Sequence, residues 1–280
     1  MTWRLRRFNR REPVADLLAS GAVEAPTFAA VAAASDVVYV CVTGAAEVDS
    51  VITGPTGLLA GAKRGLIIVD TSTSEPTVTA RLRAVCAAAG VTLVDAPLAR
   101  TPVEAEQGRL NTMVGATDAD FARLLPLFKG VWAENVVHVG GPGAGHTIKL
   151  CNNMLAMSQC TAAAEAFAVC ARTGVDPKKL VDVITLGGVN SGLFQGMAKT
   201  LHGDMSGLKF QLDNARKDIR YYTHMAESVN VPCSHGDTVL ANLAMASALG
   251  HGEQFVPALV EAQEHINKCK IVGTSAAPKA

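Results

Sequence analysis

The chain has 280 residues and sets 25 lysines and arginines against 25 aspartates and glutamates. It is long enough for one or two cored domains and carries no net charge to draw it to nucleic acid. Charged residues make up 18% and apolar residues 49%, which excludes a disordered chain and suits a compact α/β or helical enzyme. The seven cysteines are scattered without C-x-x-C or His/Cys ligand spacing, so they read as small core residues of a reducing compartment rather than as a metal site.

The first half alternates strand-like and helix-like runs. Residues 3–8 read as a strand and 11–20 as a helix, with Pro13 in its first turn and Gly21 at its stop. Met1 to Arg11 is basic without an apolar core and does not read as a signal peptide, so the expected setting is the cytoplasm. Thr27 is placed to cap a short helix to Ala34. The runs 36–42 (DVVYVCV) and 65–70 (GLIIVD) are nearly continuous in apolar residues, as strands buried on both faces are. Helices are predicted at 45–52, 76–89 and 118–128, and further strands at 91–95, 109–114 and 135–139. Such alternation implies βαβ units and a mainly parallel, helix-covered sheet.

Past Gly145 the pattern turns all-helical. A long helix is predicted over 147–173. Between Leu150 and Ala171 it carries one charge, Glu165, and a helix apolar nearly all round is a buried one. It is long enough to span a bilayer, but Asn152, Asn153, Ser158, Gln159 and Glu165 interrupt it and argue against a membrane segment. Gly174 suits its C-terminal stop, and Asp176-Pro177 begins the next helix, to about 186. A loop-rich stretch is expected at 187–210, then helices at 211–228, 234–249 and 254–268, no strand, and a polar tail from Gly273. The expected organisation is an α/β domain over 1–145 and an all-helical domain over 146–280, joined by the long helix after the glycine-rich stretch 140–145.

Lys149 and Asn153 stand four residues apart, on one helix face at the start of the buried helix. A lysine there is costly without a partner or a task, and its charge opposes the helix dipole. Thr73 follows the strand 65–70, at the C-terminal edge where open α/β sheets bind ligands, and Thr43 follows 36–42 at a similar edge. Thr73 also suits a helix cap before Pro76. Lys217 has Asp213 one turn earlier and Asp218 beside it, which fits a surface ion pair. Ser234-His235-Gly236-Asp237 contains triad residue types, but chain neighbours do not make a triad.

Five stretches, in order and spacing, carry a resemblance. They are Asn9-Arg10, Val69-Asp70-Thr71-Ser72-Thr73, Asp95-Ala96-Pro97, the run Gly141-Pro142-Gly143-Ala144-Gly145 with Lys149-Leu150-Cys151-Asn152-Asn153, and Lys217-Asp218. Together they resemble the β-hydroxyacid dehydrogenase family, typified by 3-hydroxyisobutyrate dehydrogenase and tartronate semialdehyde reductase, over roughly residues 3–270. The resemblance implies a Rossmann domain, a long inter-domain helix and a helical domain that forms homodimers or homotetramers. It implies an NAD(P)-dependent oxidoreductase acting on a small anionic β-hydroxy acid or its semialdehyde, with no nucleic-acid or membrane partner and no metal.

By that resemblance Lys149 is the catalytic residue. A lysine amine partly withdrawn from water can give or take a proton near neutrality. Asn153 would hold the substrate oxygen or orient the amine, and Thr73, Thr43 and Lys217 would contact the cofactor. In a Rossmann domain a basic residue after the second strand accommodates a 2′-phosphate, so Asn9, Arg10 and Arg11 favour NADP, with NAD the alternative. Where most of the family has Ser-Gly-Gly, this chain has Ala99-Arg100-Thr101. That is similar to the sulfolactaldehyde reductase branch, in which the corresponding Gly-Arg-Thr binds the substrate's anionic end. A guanidinium fork suits such a group.

The front departs from the family. No G-x-G-x-x-G turn precedes Arg4, so the first βα unit, whose glycines admit a pyrophosphate, is absent from this sequence. Three readings stay open. The natural start lies about 25 residues upstream, the size of a strand-turn-helix unit. Or the chain is a degraded, inactive copy. Or it is a truncated homologue kept as a dimeric scaffold.

Overall fold

The computed structural model describes residues 4–5 and 15–273. Most of the expected first strand, the start of the first helix, Asn9, Arg10, Arg11 and the tail beyond Gly273 lie outside the described residues. The chain divides into two compact units, residues 1–149 and 150–280.

In the first unit the elements are β1 (Arg4–Leu5), α1 (Ala15–Ala19), β2 (Val23–Glu24), α2 (Phe28–Ala33), β3 (Val37–Val40), α3 (Ala45–Thr53), β4 (Ile67–Asp70), α4 (Pro76–Ala88), β5 (Thr92–Asp95), β6 (Leu98–Ala99), α5 (Pro102–Glu106), β7 (Leu110–Gly115), α6 (Asp118–Phe128) and β8 (Ala133–Gly140). Strands β1 and β2 pair in parallel in a sheet of their own. The larger sheet is parallel across β3, β4 and β5, where Val40 pairs with Asp70 and Asp70 with Asp95. Its far side is mixed: β7 runs antiparallel to β5 and β6 and parallel to β8. The break between β5 and β6 falls at Ala96-Pro97, and proline has no N–H to donate to a ladder.

Strand β4 shows why GLIIVD lacks polar alternation. Ile68 joins the core on one face, with Ile52, Leu82 and Cys86, while Ile67 and Val69 join that on the other, with Leu124 and Phe128. Thr27 caps α2 as expected, accepting from the Ala30 N–H at 3.0 Å. Burial pushes the Cys86 thiol up to about 11, so it stays protonated and inert at neutral pH.

The second unit holds most of α7 (Ala144–Arg172), then α8 (Pro177–Thr185), α9 (Gly192–Ala198), α10 (Leu212–Ser228), α11 (Ser234–Ala246) and α12 (Leu259–Asn267). Among the described residues it contains no strand, only the isolated bridge Gln211–Phe255. Helix α7 is long and apolar enough to cross a membrane by length and composition. Its Met154, Met157, Cys160, Ala164 and Phe167 build the core of this unit, with Met197, Leu212, Ile219 and Leu243 packed on them. A core helix passes the same test.

Three expectations need correction here. The stretch 187–210 contains α9, which Ser191 caps by accepting from the Phe194 N–H at 3.0 Å. Helix α11 ends at Ala246, and Gly250 then takes the left-handed conformation with φ 97°. Pro257 confines 256–258 to a 3₁₀ turn, so α12 starts only at Leu259.

Candidate active site

The parallel register brings the C-terminal ends of β3, β4 and β5 side by side. The loop after β4 carries four consecutive hydroxyls, Thr71 to Ser74. Thr71 donates to the Val40 carbonyl at 2.8 Å, and Ser72 Oγ accepts from the Val42 N–H at 2.9 Å, which ties this loop to the one after β3. Ser74 Oγ is buried and has no hydrogen-bond partner among the described residues. Thr73 is half-buried in this loop. It is not the cap of α4: Glu75 holds that position, with no side-chain capping bond. Thr43 is exposed, immediately before the Gly44 cap of α3.

The start of α7 is fastened to the same edge by Asp95. This carboxylate, fully buried, accepts from the Gly143 N–H at 2.6 Å and the His146 N–H at 2.9 Å. Two of the donors that a helix start leaves without intrahelical partners are thereby satisfied, and the negative charge sits at the positive end of the helix dipole. The glycines around it serve close approach. A Cβ on Gly145 would stand 2.5 Å from the Met113 carbonyl oxygen and 2.8 Å from Asp95, and one on Gly115 would stand 2.6 Å from Asp95 Oδ2. The glycine-rich junction is thus a packed joint between β5, β7 and α7, as well as the end of the α/β pattern.

His146 lies inside this joint with no exposed surface. Its Nδ1 is 2.8 Å from Thr79 Oγ1, and its Nε2 is 3.2 Å from the Ser72 carbonyl and 3.7 Å from Asp70 Oδ2. Burial raises the Asp70 carboxyl above the ordinary range, opposed by His146 and by the hydrogen bond from Ser72. Lys149 follows His146 one turn later, half-buried.

In the second unit Asn153 and Lys217 meet at one residue. Asn153 Nδ2 donates to Asp218 Oδ2 at 2.7 Å, and Lys217 Nζ lies 3.1 Å from Asp218 Oδ1. The Lys217 ammonium also stands 5.3 Å from the centre of the Tyr221 ring. Asp213 pairs with Arg216 at 3.2 Å, and Lys217, with 15% side-chain exposure, lies beside Asp218. Asp218 was the residue to find. It falls on the buried stripe of α10 with Leu212, Ala215 and Ile219, and a carboxylate on such a stripe requires a partner.

The Ala99-Arg100-Thr101 stretch departs from expectation. Arg100 adopts φ 83°, a left-handed conformation uncommon for a non-glycine residue. Its guanidinium donates to the Arg109 carbonyl at 2.6 Å and pairs with Glu134. Thr101 caps α5 in a capping box with Glu104, a T-x-x-E signal present in the sequence. Ala99 ends β6, paired with Asn111 of β7.

Residues 2–140 match the family described as the NAD binding domain of 6-phosphogluconate dehydrogenase, and residues 143–262 match the NAD-binding domain of NADP-dependent 3-hydroxyisobutyrate dehydrogenase. The chain is 31% identical over 265 residues to 2-(hydroxymethyl)glutarate dehydrogenase of Eubacterium barkeri, covering 93% of this chain and 86% of that protein. It is 30% identical over 260 residues to 2-hydroxy-3-oxopropionate reductase of Escherichia coli, covering 90% and 86%. The crystal structure of 3-hydroxyisobutyrate dehydrogenase from Salmonella typhimurium superposes with a TM-score of 0.75 at 30% identity, covering 88% of this chain and 86% of that one.

Proposed function

Since the chain belongs to the β-hydroxyacid dehydrogenase family and is an NAD(P)-dependent oxidoreductase, we propose that it interconverts a small anionic β-hydroxy acid and its semialdehyde with Lys149 as general acid and base. The observation that carries the reading is the position of Lys149. It follows, by one helical turn, a histidine hydrogen-bonded into the hydroxyl-rich C-terminal edge of β4. That edge suits the nicotinamide end of a dinucleotide: it is polar, it lies where parallel sheets bind ligands, and it holds the unpartnered hydroxyl of Ser74.

A bound nicotinamide dinucleotide supplies the hydride acceptor in oxidation and the hydride donor in reduction. In oxidation the Lys149 amine takes the substrate's hydroxyl proton as its carbinol carbon gives up hydride; in reduction the ammonium returns a proton to the carbonyl oxygen. Asn153, its amide held by Asp218, orients the reacting oxygen or the amine. Thr73, Thr43 and Lys217 hold the cofactor, and Arg10 and Arg11 with Asn9 favour NADP over NAD. The helical residues 146–280 form the substrate and self-association domain, with 1–145 binding the dinucleotide. Val183, Leu186 and Val189, each at least 65% exposed, offer apolar side chains to a second copy of the chain. The cysteines, all free, are consistent with a cytoplasmic setting.

Arg100 is the proposed anion clamp, with Ala99 and Thr101 beside it. Its bond to Glu134 is a partly exposed pair, worth about 0–1 kcal/mol, and a substrate carboxylate or sulfonate can displace it. Arg100→Ala is expected to raise KM for the anionic substrate about tenfold with kcat nearly unchanged, the signature of lost ground-state binding. Steady-state kinetics with equal KM in both proteins would remove the clamp. The reading as a whole is tested by following nicotinamide absorbance with hydroxyisobutyrate, tartronate semialdehyde, sulfolactaldehyde and succinic semialdehyde, each with both dinucleotides. No turnover with any pair would refute it.

A further inference from the structure

Lys149 sits on the first turns of a helix whose start has to be held against the sheet if the amine is to occupy one place. Asp95 does part of this through the backbone, by binding the Gly143 and His146 N–H groups. A second attachment runs through a side chain. The His146 ring reaches away from α7 to two different elements: Thr79 on α4 at one nitrogen, and the Ser72 carbonyl with the Asp70 carboxylate at the end of β4 at the other. With no exposed surface and both nitrogens in contact, the ring has no alternative position to occupy.

The proton arrangement is determined by the partners. Nε2 faces two acceptors, a carbonyl and a carboxylate, so Nε2 carries a proton. Nδ1 faces a hydroxyl, which can donate to it or accept from it. Thr79 Oγ1 also lies 3.1 Å from the Glu75 carbonyl, so it has a place to send its hydrogen when Nδ1 is protonated. Thr79 Oγ1 and the Ser72 carbonyl both meet the ring in this pose, and the buried Asp70 carboxylate lies 3.7 Å from Nε2.

We propose that His146 is a positioning residue. Its imidazole clamps the first turn of α7 to the C-terminal end of β4 and the start of α4, and so fixes where the Lys149 amine stands. The inference rests on the reading of Lys149 as the proton-transfer group. It touches neither substrate nor cofactor in this role, and its effect passes through the helix backbone over one turn.

The substitutions separate position from mere filling. His146→Gln keeps a donor toward Ser72 and an acceptor toward Thr79, whereas His146→Leu fills the space and leaves both partners unmet. His146→Leu should lower kcat about 10- to 100-fold with KM for substrate and dinucleotide within about twofold, the cost of a misplaced group rather than of lost binding. His146→Gln should recover to within about threefold of the parent. A readout free of turnover is the rate at which acetic anhydride modifies Lys149 in the cofactor-free protein, measured by mass spectrometry. That rate should change in the Leu variant and return in the Gln variant.

Unchanged kcat and labelling in the Leu variant would overturn the proposal. So would a loss of equal size when His146→Leu is combined with Lys149→Ala, because the histidine would then act by another route while the lysine reading stood. Near-normal turnover by Lys149→Ala alone would remove the lysine reading and the positioning role with it. Should the Leu variant fail to fold, Thr79→Val removes only the Nδ1 partner; it should lower kcat about threefold or more, and an unaltered kcat would equally overturn the clamp.

Discussion

Lys149→Ala should lower kcat by about 10² to 10⁴-fold, the usual contribution of a positioned acid or base. Affinity for the dinucleotide, measured by fluorescence titration, should remain within about twofold of the parent, since a group that acts on the proton in flight contributes little to ground-state binding. The fold should also tolerate the change. Lys149 is half-buried on a continuous helix, and alanine is the best helix former. A protein that folds, binds dinucleotide and has lost turnover isolates the chemical step. Near-normal turnover would show that another group moves the proton. A parallel loss of dinucleotide affinity would place Lys149 at the cofactor instead.

What could be seen in the sequence was whatever is local. Strands β3 and β4 were legible because burial on two faces leaves an unbroken apolar run, and α7 because so long a stretch carries a single charge. Lys149 and Asn153 could be put on one face because helix periodicity decides it. Short elements inside glycine-bearing stretches, such as α9, gave too little periodic signal to detect. The larger omissions are contacts distant in sequence. Asp95 and His146 are 51 residues apart and Asn153 and Asp218 are 65 apart, and no spacing rule pairs them. The surroundings of Arg100 were hidden for a different reason. Its residue type was right for an anion, but nothing in the chain announced a left-handed backbone or a glutamate 34 residues on that takes up its guanidinium. Residue chemistry identifies what a side chain can bind; only the fold decides what it meets first.

Asp95→Ala is expected to be the most destabilising single change in the joint, at about 2–4 kcal/mol, and to reduce turnover as well. The magnitude follows from what is left behind. The carboxylate has no exposed surface and accepts two N–H groups from the start of α7. Its removal leaves the buried His146 N–H and the part-buried Gly143 N–H without this acceptor, and an unmet buried donor costs about 1–3 kcal/mol. The favourable placing of a negative charge at a helix N-terminus is lost in addition. Asp95→Asn is the informative companion. It retains one acceptor oxygen, turns the other position into a donor facing a donor, and should therefore lie between parent and alanine variant. Urea denaturation followed by circular dichroism measures the stability change, and kcat measures how much the amine of Lys149 depends on the helix start. If Asp95→Ala costs less than about 1 kcal/mol, the two N–H groups have found other acceptors and the carboxylate is not what anchors α7. If stability falls but kcat does not, the anchor is real, yet the amine takes its place from contacts further along the helix.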